Sequence, residues 1–289
     1  EQLDFLEALK PHLADDWWFQ MVYAFALEEL GRLDEAGRLI ERSLTANPKS
    51  AHSAHIKAHV LYELGENSTA LDYLEGWLAG YPREGLMHCH ISWHIALFAL
   101  TVGRIDDAWR VYRTGVHPGG SWGPFINSST DSVAFLWRAE LAGQARDKQL
   151  WSELREYCLR YFPKTGLAFG DVHCGLACIA GGDDANVERI LGELHDRVGS
   201  NRYPAGGVVP AIVSGFAAYE KGDWTAAIDT LEKALAEAVR IGGSRAQRDL
   251  VEHSLVAAYV KDGRVDAARK LIAARADRRP VVSVGGLAA

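Results

Sequence analysis

The residues best suited to chemistry are histidines, and they are grouped. Of eleven histidines in the 289-residue chain, seven fall in three short segments. "AHSAHIKAHVLYELG" holds His52, His55 and His59, "MHCHISWHIALFALTVG" holds His88, His90 and His94, and "FGDVHCGLACIAGG" holds His173 beside Asp171. His55 and His59 are four apart, as are His90 and His94, so each pair shares one face of a helix. Two such pairs on adjacent helices could chelate one divalent transition metal, since neutral imidazole suits Zn, Fe, Cu, Mn or Ni. Asp131, near the start of "SSTDSVAFLWRAELAG", could complete the ligand set. The zinc-protease helix needs a Glu beside its first His, and neither pair has one.

A metal-free site is the second chemical reading. A histidine beside His or Asp would titrate near neutral pH and move protons, with His55, His59, His90, His94, Asp131 and His173 as the catalytic set. "IGGSRAQRDL" supplies Ser244, Gln247 and Arg248; Ser244 is a candidate N-cap, the helix N-terminus attracts anions, and Arg248 would hold an anionic group. Trp93, next to His94, and Trp122, in a loop, are the candidate ligand-contacting aromatics. The plain alternative is that the histidines are buried hydrogen-bonding groups and Gly242-Gly243-Ser244 an ordinary capped turn. Cys174 and Cys178, set among Gly175, Leu176, Ala177 and Ile179, read as packed core rather than soft-metal ligands. Nucleophile-elbow, P-loop and dinucleotide motifs do not occur.

These side chains must be positioned by a repeat. Gly, four residues, then Ala and an apolar helix recurs at Gly31/Ala36, Gly65/Ala70, Gly103/Ala108, Gly222/Ala227 and Gly263/Ala268, with looser blocks at Gly143 and Gly182. Successive glycines are offset by 34, 38, 40, 39, 40 and 41 residues. Such a period implies stacked supersecondary units. In each, a first helix ends at the Gly, which suits a left-handed C-cap, and a polar residue opens a second helix. Leu33, Ala36, Ile40 and Leu44 give that second helix one apolar face. Pro48, Pro82, Pro118 and Pro163 follow second helices, and none of the nine prolines need lie inside a helix. Period-two alternation is not sustained anywhere, so no sheet is expected. Two long connections, 117–129 and 199–210, carry Trp122 and Tyr203 and are candidates to cover a cavity mouth.

The spacing resembles the tetratricopeptide repeat: Gly31, Ala36, Ile40 and Pro48, then Gly65, Ala70, Leu74 and Pro82, stand at its turn, small-residue, large-apolar and terminal positions. The resemblance implies an all-α, right-handed superhelix of about seven helical hairpins, with the first helix of each lining the concave face; its ligand-facing register falls on His52, His55 and His59. A narrower resemblance covers residues 17 to 275. "HIKAHVLYELGE", "CHISWHIALFALTVGRIDDAWRVYR", "STDSVAFLWRAELAG", "FGDVHCGLACIAGGD" and "RIGGSRAQRDL" are similar to successive blocks of the tetratricopeptide-repeat protein 38 family. It implies the motif positions His55, His59, His90, His94, Asp131, His173, Gln247 and Arg248, brings no settled activity, and leads one to expect further sequence ahead of Glu1.

Composition narrows the classes. An apolar fraction of 48% and a net charge of −7 fit a globular protein and exclude a disordered chain or collagen. Uncharged runs are too short and too interrupted to span a bilayer, the opening residues lack a secretory pattern, and the acidic balance argues against nucleic acid. Cys89, Cys158, Cys174 and Cys178, without CxxC spacing, are expected to be reduced core thiols in a cytoplasmic protein. One repeat domain over 1–276 and a C-terminal tail over 277–289 are expected. The favoured reading is a small-molecule enzyme or binding protein of hydrolase, lyase or isomerase type, with a His-rich metal or acid/base site in a central cavity and an anionic ligand. The alternative is a protein-interaction scaffold; an assembly module such as a homodimer, paired through the final helix or the "PVVSVGGLAA" tail, is a third arrangement.

Overall fold

The computed structural model describes residues 2–274 and 284–287, and helices carry all of their regular structure. After α1 (Gln2–Leu13) come seven antiparallel pairs: α2 (Trp17–Glu29) with α3 (Leu33–Ala46), α4 (Ala51–Glu63) with α5 (Asn67–Leu78), α6 (His88–Thr101) with α7 (Ile105–Val111), α8 (Phe125–Leu141) with α9 (Lys148–Tyr161), α10 (Ala168–Ala180) with α11 (Asp184–Gly199), α12 (Val208–Glu220) with α13 (Trp224–Leu235), and α14 (Arg245–Lys261) with α15 (Val265–Ala273). α7 runs on into one π-helical turn, Tyr112–Val116.

Each hairpin turns where the glycine pattern places it. Gly31, Gly65, Gly103, Gly143, Gly182, Gly222 and Gly263 all have φ between 69° and 92°. The amide after each glycine bonds back to the carbonyl five residues earlier, as in Arg32 N–H to Leu27 O and Arg104 N–H to Ala99 O, which is the Schellman closure. Asp147, Asp183 and Asp223 then cap α9, α11 and α13. Ala36, Ala70, Ala108, Ala227 and Ala268 are fully buried. Pro11 departs from expectation by lying inside α1; it is exposed and two residues from the helix end, where a lost backbone bond costs little. The two long connections are shorter than the sequence implies, since α8 already starts at Phe125 and α12 at Val208.

The first helices differ from the second. Among the described residues, every buried charged or imidazole side chain lies on a first helix, including Glu28, His59, His90, Asp131, Arg138 and His173. The last hairpin returns to the first two: Arg248 Nη2 donates to Glu29 Oε2 at 2.7 Å, the Arg245 amide to Glu29 Oε1 at 2.8 Å, and the Tyr62 hydroxyl to Asp249 Oδ2 at 2.7 Å. α14 also meets α8, with Trp137 Nε1 donating to Ser254 Oγ at 2.8 Å. Chain stretches almost 220 residues apart thus face a common polar interior.

Of the tail, Val284 is buried and the Gly285 amide donates to Leu141 O at 2.7 Å, so this piece packs on its own chain. The 276/277 boundary and most of "PVVSVGGLAA" lie outside the described residues. Among the described residues no helix is long and apolar enough to cross a membrane. All four cysteines are free and buried.

The turns supply a test. A Cβ on Gly103 would meet nothing within 4 Å, so Gly103→Ala isolates the cost of the left-handed backbone. Urea unfolding is expected to show a loss of ~1–2 kcal/mol; unchanged stability would contradict the turn geometry.

Candidate metal centre

Four imidazoles meet between α4 and α6. His55 Nε2 lies 2.8 Å from His59 Nε2, 3.0 Å from His90 Nε2 and 3.1 Å from His94 Nε2. One ligand atom from each of the four falls within a 4.8 Å group, the only such set among the described residues. The i, i+4 spacing puts each pair on one helix face, and the packing of α5 between α4 and α6 in sequence brings the two faces together. A ring nitrogen carries either one proton or one lone pair, so at most one of the three contacts to His55 Nε2 is a hydrogen bond.

Carboxyl groups stand behind the ring. His90 Nδ1 donates to Asp131 Oδ2 at 2.8 Å, which turns Nε2 toward the group. His59 Nδ1 faces Glu28 Oε2 at 4.0 Å, and both Glu28 oxygens are buried without a hydrogen-bond partner. Burial first, then Glu29 and Glu63, push Glu28 up to about 9. Trp93 stacks on His90 with ring centres 5.3 Å apart and meets His94 edge-on at 4.7 Å. Imidazoles held by a carboxylate on the outer nitrogen and a packed ring on the face are oriented ligands.

The titration behaviour differs from the sequence expectation. Burial holds His55 and His94 well below the ordinary imidazole value, His59 down to about 3 and His173 down to about 4; neighbouring histidines add to the shift in the cluster. Desolvation outweighs the attraction of nearby carboxylates, so these rings are neutral at pH 7. Neutral imidazoles are good ligands and poor proton donors, which favours the metal reading over acid/base catalysis.

The other sequence candidates are placed as follows. His173 sits on α10 outside the four, donating Nδ1–H to Phe169 O at 2.7 Å. His52 meets Trp18 edge-on at 5.5 Å. Arg248 is committed to Glu29 and Gly243 O, and Ser244 and Gln247 form a reciprocal capping box. Trp122 is 65% exposed. The Tyr203 hydroxyl donates to Asp171 Oδ2 at 2.6 Å, pinning its loop to α10. Burial raises the Cys178 thiol to about 12, as fits a core residue.

Glu28 and Arg138 are functional candidates that the motifs do not single out. Repeat alignment does carry a signal for them. Three residues before the hairpin glycine stand Tyr62, Leu100, Ile179, Tyr219 and Val260, but a glutamate in the first and fourth blocks, Glu28 and Glu140, of which Glu140 is paired with Arg146; five before it stand Ala26, Val60, Phe98, Ala177, Ala217 and Ala258, but Arg138 in the fourth. No family model matches the chain.

Acid stability tests the burial argument. The folded imidazoles bind protons only well below 6.5, while unfolded ones bind them at 6.5, so stability is full above pH 6.5 and falls on acidification, by about 1.4 kcal/mol per pH unit for each fully shifted ring. Glu28, raised, works oppositely between 4.5 and about 9 but is one group against four. The melting temperature of metal-free protein should drop steadily from pH 6.5 to 5; a flat profile would count against neutral buried rings.

Proposed function

We propose that the chain is a metal-dependent protein acting on or binding a small anionic molecule, with a divalent transition ion held by His55, His59, His90 and His94. The observation that supports it most directly is the convergence of three imidazole nitrogens on His55 Nε2 at 2.8–3.1 Å, too many contacts for one proton to bridge. A cation accepts several lone pairs at once. Neutral ligands leave its two charges uncancelled, and Asp131 stands behind the His90 ring as the acidic group nearest to offset them.

The separations bear on the reaction class. At metal–nitrogen lengths of about 2.1 Å, adjacent ligands of a six-coordinate ion lie ~3.0 Å apart and tetrahedral ones ~3.4 Å. The contacts to His55, at 2.8–3.1 Å, fall near these values, whereas the four atoms together spread to 4.8 Å, so the outer rings would close in on the ion. A metal there would act as a Lewis acid, the chemistry of hydrolases, lyases and isomerases. His90 and His59 would be held in register by Asp131 and Glu28. A protein-interaction scaffold, the other sequence reading, would offer these faces to a peptide; His59, His94, Asp131 and His173 are instead at most 1% exposed. Membership of the tetratricopeptide-repeat protein 38 family, and a right-handed tetratricopeptide-like superhelix, belong to this proposal, supported by seven hairpins turned at matching glycines.

Elemental analysis of protein purified from metal-supplemented medium should give one transition ion per chain. His55→Ala and His94→Ala should abolish it, and Asp131→Asn should weaken affinity roughly 10- to 100-fold. Full-length folded protein that binds no Zn, Fe, Mn, Co, Ni or Cu ion would sink the proposal.

A further inference from the structure

The interior also holds a cation with no counterion. Arg138 of α8 is 4% exposed, and among the described residues no carboxylate lies within 4.0 Å of its guanidinium. Its Nη2 donates to a neutral carbonyl, Ala246 O of α14, and its Nε–H has no partner. The guanidinium lies 5.7 Å from the centre of the Trp93 ring, whose own Nε1–H is fully buried and likewise without a partner. Trp93 in turn stacks on His90 and abuts His94. Buried arginines are normally paired, and buried indole N–H groups normally find an acceptor. Two orphan donors, one of them charged, therefore sit beside the four imidazoles.

We propose that Arg138 and the Trp93 indole N–H form the anion-binding half of the site and receive the carboxylate group of a small ligand. A carboxylate offers two oxygens to two donors and cancels the guanidinium charge. This deepens the metal reading and rests on it only for the ligand's other end, whose oxygen would reach the ion held by the histidines. Arg248, committed to Glu29, is not the anchor. The position is specific to one hairpin, since the equivalent residue in the other six is Ala, Val or Phe.

The test uses malonate as probe, with inorganic phosphate for comparison, titrated calorimetrically into the full chain with and without cobalt(II). Malonate should bind wild-type protein, more tightly with metal, and perturb the cobalt visible spectrum. Arg138→Met should weaken it roughly ten- to hundredfold, Trp93→Phe less, and Arg138→Lys should restore part of the affinity. A merely structural arginine would lower the melting temperature without changing malonate affinity of the folded protein. If Arg138→Met does not fold, Trp93→Phe and Arg138→Lys decide. Equal malonate affinity in all folded variants, or no malonate binding by wild type in either form, overturns the proposal; phosphate binding that depends on Arg138 while malonate fails overturns the carboxylate assignment. Arg138-dependent malonate binding in a protein that takes up no metal would sustain this inference and remove the metal reading.

Discussion

Three imidazole nitrogens cannot all approach a fourth at hydrogen-bond distance through the single proton that one ring nitrogen can share. That electrostatic constraint organises the interior. His55 is the hub, with three nitrogens around its Nε2. Holding it there requires α4 and α6 at a fixed spacing, and Asp131 of α8 and Trp93 fix the orientation of His90 from behind. An apolar version of this face would pack without such help; a polar one depends on neighbours that accept its outer N–H groups.

Burial has opposite consequences for the groups it encloses. It strips protons from the histidines, keeps one on Glu28, and leaves Arg138 charged beside a neutral carbonyl and an aromatic face. Each state is costly in isolation. Together they underlie the two proposed occupants, a cation at the imidazoles and an anion at the guanidinium. The same low-dielectric setting that makes the orphans expensive would strengthen both interactions once made.

Contact of the last hairpin with the first two confers this enclosure. A solenoid open at its ends would leave the first helices facing water, and their polar residues would need no partners. Here Glu29 of α2 receives two donors from the start of α14, and Tyr62 of α4 reaches Asp249. The "GGSRAQR" string acts as a clasp: Ser244 and Gln247 cap the helix, Arg245 and Arg248 grip the first hairpin, and Arg138 donates to Ala246 just behind them. Residues whose motif reads as ligand binding thus serve to shut the structure around a site built elsewhere.

The sequence by itself determined the all-helical fold, the seven turns and the two histidine pairs. These are local properties: a glycine able to take φ near +75°, a small residue five positions on that is buried, and residues four apart on one face are decided within a single hairpin. It also grouped the imidazoles with Asp131, because adjacent blocks of a repeat must stack. Only the tertiary structure decided that His173 stands outside the four, that Arg248 belongs to a clasp, and that Glu28 and Arg138 are the uncompensated groups. Those roles depend on which charges end up near one another after some 220 residues of chain have coiled back, and on the desolvation that follows. Neither quantity is written in the spacing of residues along one helix.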